Sequence, residues 1–178
     1  MNFRSSDPLL TAAKVVVALL IALSVFVMAM ITIALGALLS IERTGLMADL
    51  ASAGAPQFAY WIVVLAIAML IALFWHALQF LRDLWSIIAS VDAGDPFRLA
   101  NADLLNRMGW TVLSAYITAL LIALQAAWLE RFAPLDSMDA EVNIDLGAGG
   151  LLLMLTLFIL ARVFRHGAAM REDLEGTV

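Results

Sequence analysis

Four long runs of hydrophobic residues, separated by shorter polar segments, are the dominant pattern in this chain. The runs cover residues 9–39, 58–81, 108–129 and 146–163. Each reaches or approaches the roughly 20 residues that a helix needs to cross about 30 Å of hydrocarbon. The pattern therefore predicts an all-α integral membrane protein, a transmembrane four-helix bundle that forms a single domain over residues 1–178.

The composition of the chain is that of a membrane protein. Hydrophobic residues make up 64% of the 178 positions and the mean hydropathy is +0.98, whereas soluble domains contain roughly 45–50% apolar residues. The first run is longer than the roughly 7–15 apolar residues of a signal peptide, so we expect it to remain as a membrane helix. Cysteine is absent, which excludes disulfides, thiolate metal ligands and cysteine nucleophiles within this chain.

The Lys and Arg residues indicate the orientation in the membrane. With the N-terminus in the cytoplasm, eight of the ten lie on the cytoplasmic side, and only Arg43 and Arg131 lie outside. An excess of Lys and Arg in short loops marks the cytoplasmic side. The sequence therefore predicts that both termini are cytoplasmic, together with a loop at 82–107 and a tail at 164–178.

The cytoplasmic loop contains a turn between two helical patterns. Gly94 is predicted to end the helix that continues from the second span, and Asp95 and Pro96 to be the cap and the first residue of the next helix. The apolar positions that follow share one helical face: Phe97, Ala100, Leu104 and Met108. We therefore expect a short amphipathic cytoplasmic helix before the third span, either on the membrane surface or as an extension of that span.

Three basic or titratable side chains lie inside the apolar runs, close to their cytoplasmic ends. Lys14 and His76 are placed roughly 9 Å into the membrane at 1.5 Å per residue, and Arg162 enters the same layer from the fourth run. Facing one another, they would form a site for an anion or a lipid head group. Alternatively, Lys14 and Arg162 extend to the head groups, and His76 hydrogen-bonds a neighbouring side chain.

Acidic residues are frequent on the predicted cytoplasmic surface. They are Asp92, Asp95, Asp103, Glu172, Asp173 and Glu175. Such a surface could bind a small basic partner, for example a DNA-binding protein, or it could simply be solvated. A second acidic group, formed by Asp136, Asp139 and Glu141, matches no ordered calcium-binding loop, and we expect a solvated outer loop there.

The sequence favours a protein without catalytic activity. His76 and His166 are the only histidines, and the chain contains no HExxH, GxSxG or phosphate-binding loop motif. We therefore expect no enzyme, cofactor or metal site. A small transporter or channel, or a structural membrane protein without a ligand, is the alternative. A pore would have to be lined by hydroxyl groups, and the candidates are Ser24, Thr32, Ser114, Thr118 and Thr156.

Two segments carry a resemblance to a known family. They are VDAGDPF at 91–97, with Asn101, Leu105, Met108 and Gly109 after it, and the tail at 158–178. Together with four spans at this spacing, they are similar to the bacterial DUF2975 family of small membrane proteins. The resemblance implies a multi-pass protein of the bacterial inner membrane, in a family whose function is unknown.

Family members are often encoded beside a short helix-turn-helix regulator of the Cro/C1 type. The resemblance therefore implies a non-enzymatic regulatory protein that binds such a regulator in the cytoplasm. We expect the chain itself to contact membrane lipids but not nucleic acid, and a homo-oligomer is left open. Phe97 is expected to pack against the inner end of the bundle, and Arg165 and Arg171 to meet the acids of the loop. The residues predicted to bind the partner are Asp92, Asp95, Phe97, Arg165, Arg171, Glu172 and Asp173.

Overall fold

The computed structural model describes residues 8–132 and 147–175, with side chains as far as Glu172. The helices in these ranges are α1 (Pro8–Ser40), α2 (Arg43–Ser52), α3 (Ala59–Asp92), α4 (Leu99–Leu129) and α5 (Ala148–Glu175). The predicted acidic outer loop with Asp136, Asp139 and Glu141 lies outside the described residues, and so does the side chain of Asp173.

Four of these helices, α1, α3, α4 and α5, are long and apolar enough to cross a membrane. The four long apolar helices predicted from the sequence are therefore confirmed, and they indicate a multi-pass membrane protein. Three of them extend well beyond their apolar runs. The helix α3 has 34 residues, α4 has 31 and α5 has 28, although a span needs only roughly 20.

The long helices leave most of their large apolar side chains exposed. In α1 only Val17 and Ser24 are buried, whereas Leu19 and Ile33 are 65% and 67% exposed. A soluble domain buries most residues of this kind in its core. In a bilayer the hydrocarbon covers them instead, and the helical backbone satisfies its own hydrogen bonds.

The connection between α3 and α4 corrects part of the sequence prediction. Gly94 ends α3 as predicted, with φ of 81°, and the amides of Gly94 and Asp95 bond back to the carbonyls of Val91 and Ser90. This pattern is a Schellman cap, which glycine favours because it has no Cβ. Pro96 does not begin the next helix, however, because α4 begins at Leu99.

The predicted amphipathic helix is also not separate from the third span. Residues from Leu99 to Leu129 form one continuous helix, so the amphipathic pattern belongs to its first turns. No proline interrupts this stretch, and its single glycine, Gly109, is tolerated within a helix. Of the two arrangements that the sequence left open, the structure shows an extension of the span.

The described residues divide into two compact units. The first takes its residues from Met1–Ser24, His76–Ser114 and Gly147–Val178, and the second from Val25–Trp75 and Ala115–Leu146. The core of the first unit consists of residues from α3, α4 and α5. Its members are Leu105, Met108, Leu157 and Ala161, packed against Phe80, Leu84, Ile87, Val112 and Phe164.

The core of the second unit is centred on Tyr60. This side chain is fully buried with Leu50 and Ala59, and its hydroxyl donates to the carbonyl of Leu38 at 3.4 Å. The ring of Phe58 lies 5.4 Å from that of Trp128. The short helix α2 therefore packs through Leu50 against the beginning of α3.

Candidate functional site

The charged side chains of the first unit form ion pairs between different helices. Each pair joins an Asp to a Lys or Arg from another part of the chain. The pairs are Lys14–Asp92, Arg107–Asp83, Arg165–Asp103 and Arg171–Asp95. They link α1 to α3, α4 to α3, α5 to α4, and α5 to the connection that precedes α4.

Lys14 pairs with the last residue of α3. Its Nζ donates to Asp92 Oδ2 at 2.5 Å, and both side chains are about one third exposed (29% and 35%). The predicted layer of Lys14, His76 and Arg162 is not joined by hydrogen bonds or ion pairs in the described structure. His76 is half-buried in α3, and Arg162 is exposed on α5. An anion-binding role for these three residues together stays a prediction.

Arg107 and Asp83 form the pair that contains the most buried carboxylate, although the Arg107 side chain itself is 64% exposed. Arg107 Nε donates to Asp83 Oδ2 at 2.7 Å, and its Nη2 donates to Oδ1. This two-point contact matches the planar guanidinium to the carboxylate. The Asp83 side chain is only 4% exposed, so its charge depends on Arg107 for compensation.

The pair between Arg107 and Asp83 was not predicted from the sequence. Asp83 follows the second apolar run after a single residue, Arg82, and the sequence pattern places it in the predicted cytoplasmic loop. It lies on the same helical face as Phe80, Leu84 and Ile87, which pack against the core of the first unit. The sequence does contain a signal for this pair. The helical pattern continues past the apolar run, and Asp83 occupies a position on the face that packs against the core.

Asn101 holds the connection between α3 and α4. Its side chain is buried, and its Nδ2 donates to Ser90 Oγ at 2.6 Å and to the carbonyl of Pro96 at 2.7 Å. Ser90 in turn donates to the carbonyl of Ile87. These bonds join the end of α3 to the first turn of α4. They tie Pro96 to the two helix ends on either side of it, and α4 begins three residues later at Leu99.

The two segments that carry the family resemblance contact each other. The ring of Phe97 lies 5.3 Å from that of Phe164. A Cβ on Gly167 would lie 3.0 Å from Phe97 Cδ1, and a Cβ on Gly109 would lie 2.7 Å from Phe158 Cε1. Each glycine therefore allows an aromatic ring to pack directly on a helix backbone. Phe97 packs against this end of α5 as expected from the sequence.

Arg165 and Arg171 also meet acids of the predicted cytoplasmic loop. Arg165 donates to Asp103 Oδ1 at 3.3 Å, and Arg171 donates to Asp95 Oδ1. Among the residues predicted to bind a partner, Asp92, Asp95, Arg165 and Arg171 thus lie in pairs within the chain. Glu172 is exposed. The binding role of all these residues stays a prediction.

An open groove lies beside Phe97. Its volume is about 680 Å³, and it is lined by Phe97, Arg162, Val163, His166, Gly167 and Met170. No group of His, Asp and Glu residues that could hold a metal ion occurs in the described part of the chain. The side chains that line the groove are basic at Arg162 and His166 and apolar at Phe97, Val163 and Met170.

The hydroxyl groups considered for a pore lining bond mostly to their own helices. Ser24, Thr32, Ser114 and Thr156 each donate to the backbone carbonyl four residues earlier. Such bonds satisfy a hydroxyl inside hydrocarbon without a water-filled path. Their geometry gives no specific support to a pore.

Comparison with known proteins gives one family match. A family model described as "Protein of unknown function (DUF2975)" matches residues 45–178. The match includes all but the first two residues of α2 and the whole of α3 to α5, and therefore every residue of the groove. Neither the curated proteins nor the solved structures contain a match to this chain.

Proposed function

The chain belongs to the DUF2975 family, a family of unknown function, and we propose that it is a non-enzymatic regulatory protein of the bacterial cytoplasmic membrane. In this proposal both termini are cytoplasmic. The first unit then faces the cytoplasm and binds a helix-turn-helix transcription regulator. The chain itself does not bind DNA.

The charges of the two units support this orientation. Among the described side chains of the first unit, seven are Lys or Arg and five are Asp or Glu. The described part of the second unit contains Arg43 and Arg131 against Glu42, Asp49 and Glu130. Because Lys and Arg are enriched on the cytoplasmic side of membrane proteins, this difference supports the proposal that the first unit faces the cytoplasm.

The observation that carries the proposal is the organisation of the helix ends in the first unit. Four ion pairs tie α1, α3, α4 and α5 together beyond or at the ends of their apolar runs. Asn101 fixes the intervening turn. A loop that only joined two spans would need none of these contacts, whereas a surface that a protein partner recognises has to be held in one shape.

The paired acids remain partly available to a basic partner. The Asp103 side chain is 69% exposed and that of Asp95 is 36% exposed, and Glu172 is exposed next to Arg171. A carboxylate accepts more hydrogen bonds than one arginine uses. The partner's basic side chains would therefore contact Asp95, Asp103 and Glu172 without separating the pairs.

Co-purification from the native membrane tests this function. The full chain is isolated in mild detergent, and retained proteins are identified by mass spectrometry. We expect a stoichiometric protein with a helix-turn-helix sequence. Glu172→Lys should weaken its retention, because it reverses an exposed charge at the proposed surface. Glu42→Lys is the matched control, since it makes the same change on an exposed residue of the second unit.

An exchanged pair separates recognition from folding. The double variant Asp103→Arg with Arg165→Asp keeps an ion pair between α4 and α5 but exchanges the positions of its charges. A partner that recognises the charge pattern should be lost from this variant although the protein stays folded. Absence of any stoichiometric DNA-binding protein, or equal retention by all variants, would contradict the proposed function.

A further inference from the structure

One face of α5 changes from apolar to basic without a break. Its apolar members are 52–65% exposed. They recur every three or four residues as far as Val163, and the last, Met170, follows seven residues later. They are Leu152, Leu155, Ile159, Val163 and Met170. Arg162 and His166 lie on the same face. Arg162 directly precedes Val163 in the chain, and His166 lies between Val163 and Met170. This set of residues is called the α5 stripe.

The apolar part of the α5 stripe has the length of one membrane leaflet. From Leu152 to Val163 the helix rises by about 17 Å at 1.5 Å per residue, and half of a hydrocarbon core is about 15 Å. The basic pair therefore follows where a leaflet ends and its head groups begin. A lipid beside α5 would place its acyl chain along the apolar residues and its head group at Arg162 and His166.

The groove lies at this boundary and has a fixed wall. The Phe97 ring packs against Gly167 and Phe164, and it is still 47% exposed toward the surroundings. Together with Val163 and Met170 it provides apolar surface around the two basic side chains. A volume of about 680 Å³ is within the roughly 300–1,000 Å³ of pockets that bind small molecules.

The charges of α5 differ between the groove and the other faces. Arg165 and Arg171 are paired with Asp103 and Asp95. Arg162 and His166, which line the groove, form no ion pair with any side chain in the described structure. The positive charge of Arg162 is therefore left for an external anion. A guanidinium binds phosphate oxygens through parallel hydrogen bonds.

We propose that this groove binds one anionic glycerophospholipid. Arg162 and His166 contact its phosphate, one acyl chain follows Leu155, Ile159 and Val163, and Phe97 closes the groove at the head-group side. The apolar part of the α5 stripe favours a lipid over an acidic protein segment. An acidic segment could bind the two basic side chains, but only a lipid also has an acyl chain that would cover the apolar residues within the membrane. The lipid site does not depend on the proposed regulatory function.

Native mass spectrometry of the purified full chain tests the site. Dioleoyl phosphatidylglycerol is titrated into the detergent-solubilised protein, and dioleoyl phosphatidylcholine and inorganic phosphate are titrated separately. We expect preferential binding of one phosphatidylglycerol. Arg162→Gln should weaken it about fivefold, and adding His166→Gln should weaken it further. Arg165→Gln is the matched control, because that residue is on the same helix but outside the groove.

A second variant tests the path of the acyl chain. Ile159→Ser should weaken binding of phosphatidylglycerol and leave binding of soluble glycerol phosphate unchanged. Circular dichroism checks that each variant is folded. The proposal is wrong if phosphatidylcholine binds equally well, if the groove variants bind as the parent does, or if Arg165→Gln has the same effect. Inorganic phosphate binding as tightly as the lipid would equally overturn it, as would an acidic protein that displaces the lipid from Arg162.

Discussion

The ammonium group of Lys14 lies 2.5 Å from the carboxylate of Asp92, and this contact joins the second turn of α1 to the last residue of α3. Lys14 is therefore level with the end of a helix that has already passed its apolar run. Both charges of this contact are therefore compensated within the chain. The depth of roughly 9 Å into the membrane that counting at 1.5 Å per residue gives for Lys14 stays a prediction.

The pair between Lys14 and Asp92 should contribute modestly to stability. Both side chains are about one third exposed, and ion pairs in such surroundings contribute up to about 1 kcal/mol. We expect Lys14→Gln to lower the thermal unfolding midpoint in detergent by a few degrees, and the exchange of Lys14→Asp with Asp92→Lys to restore most of it. Arg98→Gln, at an exposed position of the same unit, is the control. An equal loss in the exchanged variant would show that attraction between the charges is not the cause.

The pair with the buried carboxylate should behave differently from the other pairs. Arg107→Met would leave the buried Asp83 carboxylate without its cation. We expect a cost of about 3 kcal/mol, the low end of the range for a fully buried pair, because Arg107 itself is 64% exposed. Arg107→Lys should recover only part of this, because an ammonium group cannot make the two-point contact. Arg82→Met makes the same substitution at the exposed neighbour of Asp83 and should change little. Urea unfolding of the solubilised protein measures all three variants.

The pair of Arg107 and Asp83 also shows the limit of prediction from the sequence. Helix positions followed from apolar runs, and the end of α3 followed from Gly94, because both are local properties of the chain. The beginning of α4 did not, since the turn at Pro96 is held by Asn101 of α4, which also bonds to Ser90 of α3. The ion pairs depend in the same way on which helices are neighbours. The groove combines Phe97 with residues of α5, and no local pattern joins them.

The turn held by Asn101 should be sensitive to the chemistry of its amide. Asn101→Ala would remove both donated bonds and leave the buried Ser90 hydroxyl and Pro96 carbonyl without them, at a cost of about 1–3 kcal/mol. Asn101→Asp has nearly the same shape but replaces the donor with a carboxylate that faces a carbonyl oxygen. We expect it to be worse than Asn101→Ala. Thermal unfolding compares the two, and the opposite order would argue against the donor role of Nδ2.

The contact of Gly109 with Phe158 should leave no space for a methyl group. A Cβ at Gly109 would lie 2.7 Å from the ring, and overpacking of this kind costs about 1–3 kcal/mol. We expect Gly109→Ala to destabilise the protein and Phe158→Leu to rescue it in the double variant. Gly149→Ala is the control, because a Cβ there would have no neighbour within 4 Å, and alanine is the better helix former. A double-mutant cycle of unfolding free energies measures the coupling.

The absence of cysteine makes the proposed orientation directly measurable. Single cysteines introduced as Ser52→Cys in α2 and Glu172→Cys in α5 would each occupy an exposed position, and no native thiol would compete. If both termini are cytoplasmic, a membrane-impermeant maleimide should label Ser52→Cys in intact spheroplasts. Glu172→Cys should be labelled only after the membrane is permeabilised. The reverse pattern would invert the orientation, and with it the side on which the ion-paired unit could meet a transcription regulator.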